Sequence, residues 1–238
     1  MEIKKNDSLN DMQQFRYELL QFFGTVREAR EAEEYIFDET DIQAVQPMLL
    51  DNCRMKDGVY FVIEGRSPIK FEGEKTVLPN DAHTEAVGLV MGEFSIRIAL
   101  QDEADGEKIS LTSTKNGNNP RDDAPYYIES YEDAVAEMDG DISTDHLRNI
   151  LNPNIKLQDG WYIPSLGEMY RIFINLKEIN AALRFLGKMA LCKGWYWTST
   201  ETSTYNAWGL DLGDGDANRW FAKDSDLNRV RMVSPFIE

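Results

Sequence analysis

The chain has 238 residues, 42% hydrophobic and 28% charged, enough apolar mass for one or two domains with their own cores. Lysine and arginine total 25 against 42 aspartates and glutamates, a formal net charge of -17. So acidic a surface repels phosphate backbones and anionic headgroups, which argues against nucleic-acid partners and against membrane insertion.

The segment from Met1 to Ser8 holds two lysines but no apolar run behind them, so no secretory signal is expected. A cytoplasmic or virion-associated location follows as an expectation. Met12, Phe15, Leu19, Phe22 and Val26 then recur at helical spacing. A Glu-rich stretch beyond them carries an Ala29, Ala32, Ile36 seam. These residues read either as a solvated helical pair or as an attachment or oligomerisation element. From Asp57 the period becomes strand-like through Val59–Ile63. Two further runs, 86–91 and 94–100, are joined by only Gly92-Glu93 and predict a hairpin. Thr114 to Pro125 reads as an exposed loop. Short helices are expected over 130–140, closed by Gly140, and over 143–151. The strongest helix follows Pro164: Ser165 and Glu168 form a capping box, and an apolar stripe runs from Met169 to Leu186 before Gly187.

The carboxyl-terminal third holds all five tryptophans and alternates as strands do: Trp195, Trp197 and Ser199 oppose Tyr196 and Thr198. Ala207, Leu210 and Leu212 read as buried, and a last strand is expected over 230–233. Short strands joined by Asp-rich turns, after one long capped helix, define an α+β fold.

Several elements here resemble a known family. Residues 160–169, Gly-Trp-Tyr-Ile-Pro-Ser-Leu-Gly-Glu-Met, resemble the "GWxLPtxxEL" element of the bacterial and phage C-type-lectin-like domains labelled DUF1566. Trp197 to Glu201 is similar to its "WSSTE" motif, Ala207-Trp208 to its "AW", and Val230 to Val233 to its "VRPV" with Met232 in place of proline. The resemblance implies a C-type-lectin-like domain over 84–238, with mixed and antiparallel strands and one long helix; the N-terminal helical segment with short strands over 1–83 lies outside it. Trp161, Pro164, Glu168, Trp197, Glu201, Trp208 and Arg231 become scaffold residues, and Glu201 with Arg231 is a candidate charge-assisted pair between adjacent strands. Some members of the family are variable proteins of diversity-generating retroelements, which change surface residues on a fixed lectin scaffold.

Enzymatic chemistry finds little to work with. His83 and His146 lack any metal-ligand spacing, and no phosphate-binding glycine loop is present. Cys53 and Cys192 do not form the reactive pair of the formylglycine-generating enzymes, a group of related fold; Cys192 reads as a small buried hydrophobe. Asp211, Asp214, Asp216, Asp224, Asp226 and Asn228 could offer oxygen ligands to calcium, but turn chemistry explains them equally and no metal or cofactor is expected. Binding fits better. Thr202, Ser203, Thr204, Tyr205, Asn206, Gly209, Asp211, Asp216, Asn218, Trp220, Ser225 and Asn228 mix hydrogen-bonding groups with rigid aromatics, as antibody loops do. The expected function is a non-enzymatic ligand- or receptor-binding protein, with a protein or glycan on a cell surface as partner and homo-oligomer or virion neighbours. A structural part of a virion or surface assembly is the alternative.

Overall fold

The computed structural model describes residues 55–113 and 127–236, so the amino-terminal helical pair, Cys53 and the whole 114–125 loop lie outside the described residues. The described body is α+β, with two antiparallel sheets and helices packed on them. Its first sheet contains β1 (Gly58–Ile63), β2 (Ile69–Lys70), β3 (Thr84–Met91), β4 (Phe94–Ala99) and β8 (Val233–Pro235), in the order β2-β1-β3-β4-β8. β1 pairs with β3 along its whole length. The expected boundary at residue 84 therefore cuts a sheet, and the body starts at Asp57. The reason is that Val59 and Phe61 share one buried core with Val87 and Leu89.

The hairpin forms as its sequence predicts. Met91 faces Phe94 across two loop residues, and Gly92 takes φ +60, a left-handed value that glycine adopts without a Cβ clash. The second sheet is β5 (Trp195–Glu201), β6 (Asn206–Asp211) and β7 (Ala217–Ala222), with β7 at an edge. The last strand lies at 233–235, three residues later than the start expected; Val230 to Met232 are buried beside it.

Four α-helices are described: α1 (Tyr131–Ala136), α2 (Gly140–Leu147), α3 (Leu166–Ile174) and α4 (Leu176–Phe185). Ser130 caps α1 by accepting from Asp133 N–H, but the helix stops before Glu137, and Gly140 opens α2 instead of closing α1. Glycine is required there by contact: a Cβ would fall 2.5 Å from Ser165 N. The capping box of Ser165 and Glu168 forms as predicted. The long helix does not run unbroken. Asn175 leaves helical geometry (φ -106, ψ 10), and its Nδ2 donates to Arg171 O at 2.8 Å. A side-chain amide that satisfies a nearby carbonyl competes with the helix ladder, and here it splits the stripe into two helices.

α4 packs on β1 and β3, while α3 packs on β5 and β6. One core joins Phe61, Leu89, Ile98, Met169, Ile172, Leu183, Tyr196 and Leu210. A second core lies on the opposite face of β5 and holds Trp197, Leu111, Leu147, Ile163, Ala207 and Val230. The predicted alternation along β5 thus sends Tyr196 and Trp197 into different cores. Cys192 is exposed, which corrects its reading as a buried hydrophobe. Its sequence neighbour Trp195 is only half-buried and packs edge-on against Phe221 at 4.9 Å, so this end of the sheet offers Cys192 no pocket.

Candidate functional site

Three hydrogen-bonded strands set the geometry of the expected binding residues. The β5–β6 turn (202–205) and the end of β7 meet at one end of the sheet, where Asn206 faces Ala222. The β6–β7 turn (212–216) lies at the other, roughly 17–20 Å away along strands of six residues. The expected face is therefore not one surface. Thr202 through Asn206 and Ser225 lie at one end, Asp211 and Asp216 at the other, with Asn218 and Trp220 on the edge strand between.

Most of the polar members serve the backbone. Thr202 is buried and its hydroxyl donates to Arg219 O at 3.0 Å. Ser203 Oγ accepts from the amides of Tyr205 and Asn206, both at 3.1 Å. Thr204 Oγ1 lies 3.1 Å from Tyr127 OH. Asp211 Oδ1 accepts from Gly194 N–H at 3.1 Å and Gly213 N–H at 2.6 Å, and Asp214 accepts from Asp216 N–H at 3.0 Å. Asp216 Oδ1 takes Ala217 N–H at 3.1 Å, and Ser225 Oγ donates to Asp224 at 3.1 Å. Gly209 is a packing position, since a Cβ there would meet the Phe221 ring at 2.9 Å. Asn228 is buried and its backbone pairs with Ile109. Among the described residues no group of three or more His, Cys, Asp and Glu side chains is placed to hold a metal ion. His83 is exposed with Nδ1 3.3 Å from Glu64, and His146 is buried in α2.

Two aromatics remain available. Trp220 is 65% exposed and Tyr205 53%. The Arg219 guanidinium sits 4.6 Å from the Trp220 ring centroid, and Asn218 Oδ1 accepts the Trp220 amide at 3.0 Å. The indole is thus presented on a braced backbone. Arg219 escaped the sequence reading although it adjoins Trp220; a cation beside an exposed tryptophan was the available signal.

The expected scaffold residues are bonded into the body, but the expected Glu201–Arg231 pair exchanges partners. Trp197 Nε1 donates to Ile109 O at 2.8 Å, Trp208 Nε1 donates to Ile128 O at 2.7 Å, and buried Pro164 O accepts from Ser199 N–H at 2.9 Å. Trp161 lies under the Arg97 guanidinium at 5.8 Å. Glu201 and Arg231 do not pair. Glu201 meets Lys223 in a buried ion pair, and Arg231 Nε meets Asp102 at 2.5 Å. Lys223 follows β7 directly and so reaches the end of β5 across the sheet, while Arg231 faces the loop after β4. A cavity of about 200 Å³ is lined by Asp102, Glu103, Asp105, Asn154 and Lys156, but Asp102 itself turns to Arg231 and to the Tyr196 hydroxyl at 3.1 Å.

A second acidic group lies at the start of α3. Glu168 is 3% exposed, and burial pushes its carboxyl up from 4.5 to about 7 against the opposing pull of Ser165 N–H and the Tyr162 hydroxyl. Nearby Glu137 is raised too, by burial first, while hydrogen bonds from Ser143 and Thr200 resist. A carboxyl raised in the folded state binds its proton more tightly there than in the unfolded chain. Its contribution to stability is complete below the unfolded value and is lost as pH rises through the folded one. Relative to Glu168→Gln, the unfolding free energy of the unaltered chain should therefore fall by about 3 kcal/mol between pH 4.5 and 7 and then stay level. Denaturant unfolding across that range checks this; a constant difference between the two chains would contradict it.

No family model and no curated protein sequence matches the chain. Among solved structures it is similar to a fimbrial protein from Bacteroides ovatus ATCC 8483, with a TM-score of 0.52 at 14% identity over 77% of this chain. The match covers 49% of that protein, so this chain spans about half its length. At that identity the likeness concerns the fold alone. No described helix is long and apolar enough to cross a membrane.

Proposed function

We propose that this chain is a non-enzymatic binding protein with a C-type-lectin-like body, which meets a protein or glycan on a cell surface through the exposed aromatics of its three-stranded sheet. The observation that carries this reading is Trp220, which is 65% exposed, stacked on Arg219 and held on a paired strand. A large exposed aromatic on a rigid support costs little conformational entropy when a partner covers it, which is why tryptophan, tyrosine and arginine dominate binding hot spots. The scaffold motifs that resemble the lectin-like family lie within and behind this sheet and support the same reading. It keeps Tyr205 and Trp220 of the twelve expected residues as the recognition surface and adds Arg219 beside them.

A glycan array and a cell-binding assay with the full chain test it. Tyr205→Ala with Trp220→Ala is expected to weaken binding by at least about 30-fold (roughly 2 kcal/mol) with unchanged thermal unfolding. Asp211→Ala with Asp216→Ala, at the far end of the sheet, should leave binding intact. Equal losses from both pairs would count against the assignment. The second reading, a structural part of a surface assembly, is favoured by the similarity to the fimbrial protein. It predicts that the double aromatic variant impairs association with neighbouring subunits while no free ligand is bound.

A further inference from the structure

The edge of the three-stranded sheet holds a further device. A strand at a sheet edge turns alternate amides and carbonyls away from its neighbour, and those groups recruit strands from other molecules. β5 is covered, because Trp197 N–H donates to Arg229 O and Ser199 N–H to Pro164 O. β7 is the edge. Lys223 N–H donates to Tyr205 O at 2.9 Å, and Phe221 sits opposite Ala207, so alternation turns the Ala222 amide outward. That amide donates to Asp226 Oδ2 at 2.6 Å, and Ala222 O accepts from Asp226 N–H at 2.9 Å. Between Phe221 and Asn218 the register shifts, leaving Arg219 and Trp220 opposite Trp208. In this bulge the Trp220 amide donates to Asn218 Oδ1 and Arg219 O accepts from the Thr202 hydroxyl.

We propose that β7 is a closed edge: Asn218 and Asp226 occupy the amides a foreign strand would need, so that partners cannot engage this sheet by strand addition. The observations go beyond the general tendency to place polar residues on edges, because each cap is a specific hydrogen bond to a specific backbone group. Together with the bulge, which bends the strand, they block pairing along its central and final residues. The inference is independent of what binds Trp220.

Opening the edge tests it. Full-length Asn218→Val with Asp226→Ala is expected to self-associate, with its sedimentation coefficient rising with concentration beyond that of the unaltered chain. Adding Ala222→Pro deletes an outward N–H without touching a bond to β6, and should return the variant to its original size. Asp226→Asn, which keeps an acceptor, should behave as the unaltered chain. Asn218→Val alone leaves the Ala222–Asp226 turn intact and should show the weaker form of the same association, which covers the case in which the double variant does not fold. Two results would overturn the proposal: capless variants that fold and keep the original size, or association that survives Ala222→Pro.

Discussion

Replacing Arg231 with methionine should lower the unfolding free energy by about 3–5 kcal/mol, read by urea unfolding through tryptophan fluorescence. Arg231 is fully buried, and its guanidinium spends its donors on three separate parts of the body. Nε donates to Asp102 at 2.5 Å, one terminal nitrogen to Ala99 O at 2.8 Å and the other to Met189 O at 3.1 Å. The methionine would fill much of the volume but leave the Asp102 carboxylate in the interior with the Tyr196 hydroxyl and, 4.0 Å away, Arg229 Nε. A buried charge that loses its counter-charge costs far more than the pair contributes. Asp102→Asn, which keeps an acceptor for Tyr196 and Arg231, should cost less. A loss below about 1 kcal/mol for Arg231→Met would show that solvent reaches Asp102.

Lys223→Met is expected to have a comparable effect, again about 3–5 kcal/mol. Burial pulls the Lys223 ammonium below its usual value while the Glu201 carboxylate pulls it back up, so the charged form depends on that contact. Its Nζ also donates to Ser203 O at 3.3 Å, which ties the β5–β6 turn beneath Tyr205. Removing the lysine leaves Glu201 buried without its ammonium. In a Glu201→Gln background the same substitution should cost markedly less, and the double-mutant cycle measures the coupling. Coupling near zero would mean that Lys223 contributes through packing alone.

These pairs show what a sequence can and cannot disclose about this fold. The charged residues of the motifs were visible, and so was their need for charged partners on neighbouring elements. Their partners were not: Asp102 lies 129 residues from Arg231, and Lys223 follows a strand whose register depends on a bulge. Local chemistry was legible wherever it decided the outcome, as in the Ser165–Glu168 capping box and the Gly92-Glu93 hairpin. It misled where a side chain competed with the backbone, at Asn175, and where tertiary contact reassigned a glycine, at Gly140. The candidate site followed the same rule. Composition marked Tyr205 and Trp220 among twelve residues, but only strand pairing reveals that Asp211 and Asp216 sit at the opposite end and that Ser203 and Asn218 serve backbone amides.

The order of strands in the first sheet carries a consequence for synthesis. β1, β3 and β4 are complete once residue 99 has been made, yet β4 acquires its neighbour β8 only at residues 233–235. Helices α3 and α4 and the whole second sheet are built from residues 166–222 in between. On the ribosome, the backbone groups of Ile96 to Ile98 that later meet Val233 to Pro235 therefore remain open while more than a hundred further residues emerge. Arg231 arrives at Asp102 in the same final stretch. In the order of synthesis, β4 is thus where closure of the sheet and the buried clasp are both completed last.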